Sequence, residues 1–325
     1  MSQGQLLSVT FHYVGMPETP CPGIHGLSAT QFRKAIEQLR ASWSIVSLND
    51  ILDALDGKST LPKKSCLISL DDGLKCQFDV ALPILDDMGV PGAFFVLGGP
   101  YIQKKAATVH QLHTIRAYHG DQTVIDTINR ILTGDDNSKG LHTVDQVTAS
   151  QHYRYDSPES AKLKYYLNYH STPQFTKQVM DAAFDEVGID EKEFIHDFYM
   201  SESMIKDLGG RGYLGSHAQT HLPLATLDTN RIREELSNTR NFLESVSGTQ
   251  VTAISYPLGN AQAVNQEVGR LAEQTGHRVG WTMERAINQS LADPLLLGRL
   301  DAADRDSIDQ FGPRQRYFPR SDALH

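Results

Sequence analysis

The chain has 325 residues, enough for a large α/β domain with a sizeable core. Its 30 basic and 39 acidic side chains leave a formal charge of −9, which argues against a dedicated nucleic-acid binder. No apolar run approaches the roughly 20 residues of a membrane span, and Met1–Leu7 lacks the layout of a secretory signal; the expectation is a cytoplasmic protein with no integral membrane segment.

Along the chain, strand-like runs alternate with helix-like ones. Leu7 to Val14 alternates and is rich in β-formers. Ser28 opens a helix as its N-cap, and Gln31 completes a capping box; Phe32, Ile36 and Leu39 mark its buried face. Cys66 to Leu70 is a short apolar strand that ends at Asp71-Asp72-Gly73. Val80 to Met88 reads as a helix stopped by Gly89, and Ala93 to Leu97 as a strand. From 101 to 199 the rhythm weakens into a polar, mainly helical stretch, clearest at Ile125–Leu132 and Phe175–Val187. We read it as an insertion or cap within a single domain spanning 1–325. The alternation then returns. Met204–Leu208 is helical, Tyr213–Ser216 a strand, and a long helix starts at Asp228 or Thr229, with Ile232, Leu236, Leu243 and Val246 on one side and Gly248 as its stop. Val251–Tyr256 is a strand, Gln262–Gln274 a helix, and Arg278–Thr282 a strand. Such alternation implies a parallel sheet with helices outside it, as an open doubly wound sheet or a closed barrel. No phosphate-binding glycine motif follows an early strand. Cys21, Cys66 and Cys76 show no CxxC spacing and are expected to be reduced thiols.

Three strand ends carry candidate chemistry. Asp71 and Asp72 sit at the C-terminal end of a buried strand, the edge where α/β folds place their sites. Taken alone, Asp-Asp-Gly is also an ordinary turn. His217 and His221 are four apart just after another strand and can face one point in space. Imidazole suits zinc and similar ions. With a carboxylate from another strand end they make a His-His-Asp set, which leaves a position open for water, as a catalytic metal requires. Ser255-Tyr256-Pro257-Leu258-Gly259-Asn260 forms a tight turn that can aim a backbone N–H at a developing oxyanion.

Taken together, these segments resemble the polysaccharide deacetylases, the sugar N-deacetylases of carbohydrate esterase family four. Ser69-Leu70-Asp71-Asp72-Gly73 is similar to the family's [ST]-F-D-D-G. Gly215-Ser216-His217, followed by His221, is similar to H-[ST]-x-x-[HS]. Ser255-Tyr256-Pro257-Leu258-Gly259 matches R-x-P-[YF]-G in part. The resemblance covers Leu67–Val96 and Met200–Arg299. It implies a distorted (β/α) barrel, often seven-stranded, here with a helical insertion, and a metal-dependent hydrolase that removes an acetyl group from an N-acetylated sugar. By position it implies Asp71 as the base and Asp72, His217 and His221 as ligands of one divalent ion, zinc by default, with cobalt, nickel or manganese able to use the same set. It also implies the Leu258 N–H as an oxyanion donor. The ion would acidify a water and polarise the carbonyl.

Two departures matter. Ser255 replaces the arginine of the third motif, and no Leu-x-His near the C-terminus supplies the family's acid histidine. Arg285 or Arg299 could replace the arginine, and His12 or His113 could lie near the site. Tyr256 and Trp281 are further candidates for contact with substrate. The expected partner is an N-acetylated sugar or glycan precursor, such as a lipid-linked or nucleotide-linked glycan. The alternatives are a hydrolase of a non-sugar amide and a non-catalytic carbohydrate-binding paralogue.

Overall fold

The structure is a computed structural model that describes residues 4–15, 24, 26–132 and 140–311; the expectation for Cys21 lies outside them. Cys66 and Cys76 are free thiols. The chain clusters into two compact units, one drawn from Met1–Glu18, Gly26–Lys104 and His196–His325 and the other from Thr19–His25 and Lys105–Ile195.

The first unit is built on strands β1 (Gln5–Phe11), β2 (Ser44–Ile45), β3 (Lys64–Asp72), β4 (Ala93–Val96), β5 (Leu214–Ser216), β6 (Ala253–Ser255), β7 (Val279–Trp281) and β8 (Leu300–Asp301). Every pairing is parallel, in the order β7-β6-β5-β4-β3-β1-β8, with β2 added to the start of β3. A parallel bridge from Leu297 to Trp281 ties the segment entering β8 back to β7. The sheet therefore curls into the distorted (β/α) barrel that the alternation and the resemblance implied.

Strand side chains alternate between the two faces, and that alternation sets the site. Leu7, Val9, Phe11, Cys66, Ile68 and Leu70 share one core with Phe32, Ile36 and Leu39 of helix Ala29–Ser42. The opposite face carries Leu6, Leu67, Phe95 and Trp281, in a separate core. Asp71 follows Leu67 and Ser69 in register on that inner face. The capping box of Ser28 and Gln31 forms as read, with hydrogen bonds of 2.9 and 3.2 Å, and Phe32 and Ile36 are fully buried. Burying such side chains contributes roughly 1.5–3 kcal/mol each.

Where the expected helix starts at Val80, the chain first makes a wide π turn over Gln77–Ala81 and only then the α-helix Leu82–Met88. Pro83 has no N–H and would crowd a preceding carbonyl in a regular helix; the wide turn accommodates it. The helix expected from Gln262 starts at Gln266 with Asn265 as its cap, because Asn260 holds residues 262 and 263 in a separate turn. Helix Thr229–Ser247 is capped by Asp228 and ends at Gly248, whose φ is +70°.

The second unit is helical: Thr108–His119, Asp121–Ile131, Gln146–His152, Pro158–Tyr165 and Pro173–Glu186. It has its own core, centred on Ile115, Val124, Ile128, Leu163, Val179, Met180 and Phe184. No described helix is long and apolar enough to cross a membrane.

Candidate active site

Asp71 ends β3 with its side chain on the inner face. Arg299 donates to both of its oxygens, Nη1 to Oδ1 at 2.9 Å and Nη2 to Oδ2 at 2.5 Å, and the Ser255 hydroxyl donates to Oδ2 at 2.9 Å. Burial works to raise its pKa. The Arg299 guanidinium, then His217, the Arg299 hydrogen bonds and His12 outweigh that and hold it at about 2. Asp71 is thus a buried, oriented carboxylate. Of the two arginines offered as substitutes for the missing one, Arg299 takes the role. Arg285 does not: it pairs with Asp304 and lies over the Phe311 ring.

The next residue turns out of the strand. Asp72 has φ +84° and Gly73 φ +70°. A Cβ on Gly73 would sit 2.8 Å from Val96 Cγ1, so the sharp turn needs glycine there. This turn brings Asp72 towards the end of β5. His217 follows β5, and its N–H donates to Val96 O at 2.9 Å. Its Nδ1 lies 2.7 Å from the Ser255 carbonyl, which can only accept, so in the neutral ring Nδ1 carries the proton and Nε2 keeps its lone pair. Nε2 is buried, makes no hydrogen bond, and lies 3.4 Å from Asp72 Oδ1. His221 Nε2 lies 3.6 Å from the same oxygen. Candidate ligand atoms of Asp72, His217 and His221 all fall within 4.8 Å of one another. Burial alone would lower the His217 pKa; Asp71 and Asp72 together raise it above the ordinary imidazole value. One carboxylate oxygen and two imidazole nitrogens converging in a buried, electronegative setting fit a divalent cation.

Four of the five non-glycine residues with positive φ among the described residues lie in these loops: Asp72, Ala218, His221 and Leu258. Such conformations cost about 1–3 kcal/mol each and persist where surrounding contacts impose them. Leu258 has φ +61°, and its N–H has no hydrogen-bond partner among the described residues. The Gly259 carbonyl is tied to the Met283 N–H at 2.7 Å, which anchors the turn.

The remaining candidates separate clearly. His12 follows β1, whose Phe11 pairs with Leu70, so it sits one register step on, beside Asp71. Gln77 bridges the two strand ends, donating to His12 O at 2.9 Å and to Asp71 O. Tyr13, which the sequence reading missed, is buried close enough to Asp72 for burial and then that charge to raise its phenol pKa. Three candidates do not line the site as expected. Tyr256 is fully buried, and its hydroxyl donates to Leu295 O at 2.9 Å. Trp281 fills the inner core against Phe95 and donates to Ser8 Oγ at 2.9 Å. Arg285 is held by Asp304. His113 lies in the second unit, on helix Thr108–His119.

The family described as Polysaccharide deacetylase matches residues 58–280 of this chain. YxkH of Bacillus subtilis (strain 168), which carries a polysaccharide deacetylase name, is 30% identical over 113 residues. That match takes in 34% of this chain and 38% of YxkH. Among solved structures, the deacetylase PplD of Streptococcus pyogenes superposes with a TM-score of 0.56 at 13% identity, over 92% of this chain and 93% of that one. IcaB from Ammonifex degensii gives 0.55 at 16%, over 95% and 97%. A de-N-acetylase from Aggregatibacter actinomycetemcomitans gives 0.57 at 17%, over 94% and 98%. At these identities the three structures speak for the fold, and the family match speaks for descent: the chain belongs to the polysaccharide deacetylase family.

Proposed function

We infer that the protein is a metal-dependent hydrolase that removes the acetyl group from an N-acetylated sugar or glycan precursor. The observation that carries this reading is the convergence of Asp72, His217 and His221 beside Asp71, a second carboxylate held ionised by Arg299. Asp72, His217 and His221 would hold the divalent ion, with zinc favoured by the donor set. When bound, the ion supplies Lewis-acid polarisation of the acetyl carbonyl and a more acidic water.

The chain's own residues do the rest. Asp71 takes the proton of the attacking water. Held ionised by Arg299, the carboxylate is ready to take it, and gives it up again once the amine has left. Arg299 and Ser255 fix which lone pair faces the water. The Leu258 N–H donates to the developing oxyanion, an interaction worth about 3 kcal/mol where such donors have been removed. His12, beside Asp71, protonates the leaving nitrogen. A non-catalytic binding paralogue gained support from the missing arginine; Arg299 in contact with Asp71 weighs against that reading.

The test is a released-acetate assay on acetylated amino sugars with metal analysis of the same samples. Wild type should carry about one ion per chain and turn over. Asp71→Asn should keep the ion and lose about 10²–10⁴-fold in kcat. A metal-loaded wild type that turns over no acetylated amine would overturn the reading.

A further inference from the structure

Glu235 lies on the buried side of helix Thr229–Ser247, 1% exposed, next to Leu236 and one turn from Ile232 and Thr239. A carboxylate rarely occupies such a position unless its lone pairs are taken up. Here Oε2 accepts the backbone N–H of Gln219 at 3.0 Å and of Thr220 at 2.8 Å. Oε1 accepts the Thr220 hydroxyl at 2.6 Å and a guanidinium N–H of Arg231 at 2.9 Å. Gln219 and Thr220 belong to the three-residue bridge between His217 and His221. That bridge is strained at both ends, with φ +56° at Ala218 and +60° at His221.

The bridge is gripped from a second side as well. The N–H groups of Gly98 and Gly99 donate to the carbonyls of Ala218 and Gln219 at 3.0 and 2.7 Å. A Cβ on Gly99 would lie 2.7 Å from Gln219 O, so the approach is as close as backbone permits. Ala218 stands where the family motif has Ser or Thr, so that position offers no hydroxyl to brace the turn. The amides nearest His221 are instead satisfied by a side chain from the following helix.

We propose that Glu235 is a positioning residue for the metal centre: it holds the His217–His221 bridge in its strained shape, so that both imidazoles meet Asp72. This rests on the reading of Asp72, His217 and His221 as metal ligands. An apolar residue in place of Glu235 would fill the same space but orphan two amide N–H groups and a hydroxyl within two residues of His221. Residues that orient metal ligands in this way typically change affinity by about 10–100-fold when removed.

The experiment measures dissociation constants for Zn(II) and Co(II) on the full chain by chelator competition, with the visible Co(II) spectrum recorded alongside. Glu235→Ala should weaken both ions by about 10–100-fold. Glu235→Gln, which keeps one acceptor, should lose less, and Thr220→Val less again; these two carry the test if Glu235→Ala fails to fold. The Co(II) bands should shift in both Glu235 variants. Variants with wild-type circular dichroism, affinity and Co(II) spectrum, lower only in Tm, would leave Glu235 a packing residue and overturn the proposal alone. A wild type that takes up neither ion would overturn the metal reading and this proposal together.

Discussion

At Asp71 two large effects oppose each other: removal from water disfavours the charge, and a two-pronged guanidinium favours it. The guanidinium wins because Arg299 is itself buried and meets the carboxylate edge-on, where few waters compete. The arginine that does this is 228 positions away in sequence. For that reason the Asp71-Asp72 pair and the two histidines were legible as motifs, whereas the choice of Arg299 over Arg285 was not. Nothing local distinguishes two arginines in one C-terminal stretch; the closure of the barrel through β8 does. His12 was legible only as a possibility for the same reason, since its place depends on the pairing of β1 with β3. If it protonates the leaving amine, His12→Gln should slow an N-acetylated amino sugar by about 10²-fold or more. The same change should cost much less on an acetanilide, whose departing aniline needs little help, and metal content should stay at the wild-type level. Equal losses on both substrates would remove His12 from that role.

Elements with strong local signals were read well, and those fixed by partners were not. The capping box at Ser28, the glycine stops at 89 and 248 and the buried run before Asp71 all rest on short-range chemistry. β2 and β8, of two residues each, carry no alternation to read and exist because neighbouring strands offer them a ladder. The long polar stretch was read as helical, but its buried charges were not foreseen. Asp156, between two helices of the second unit, accepts from Arg116 Nη2 at 3.0 Å and from Lys164 Nζ at 2.7 Å. Burial pulls the Lys164 pKa down, and Asp156 opposes that. Asp156→Ala should therefore strand the buried Lys164 ammonium, leave Arg116 with Asp121 alone, and cost about 3–5 kcal/mol. Hydrogen exchange should quicken in helices Thr108–His119 and Pro158–Tyr165. Unchanged protection there would show that the charges are solvated after all.

Over the whole molecule, two units with separate cores make a single unfolding transition an unsafe assumption. Each needs its own probe, and the barrel unit has one: both tryptophans of the chain, Trp43 and Trp281, lie in it. Its stability should carry a specific pH signature through His277, whose hydroxyl partner Ser216 directly precedes His217. His277 is buried; its Nε2 lies 2.8 Å from the Ser216 hydroxyl and its Nδ1 faces the Ala272 carbonyl at 3.3 Å, an arrangement that suits the neutral ring. Burial, with Arg240 adding to it against the pull of the Ala272 carbonyl, pushes its pKa down to about 4. Once unfolded, the ring returns to about 6.5. Between those values the unfolded chain binds a proton that the native one refuses, so stability falls as pH drops from about 6.5 towards 4 and then levels off for this group. The full loss is about 3 kcal/mol. Other ionisable groups also contribute to the pH dependence of stability, so the test is a difference. Urea unfolding followed by tryptophan fluorescence, from pH 7.5 to 4.5, should show a shallower pH dependence in His277→Asn than in wild type, even if the variant is less stable at neutral pH. Parallel curves would mean that His277 accepts its proton without unfolding the barrel, and that its link to Ser216 does not hold β5 in place.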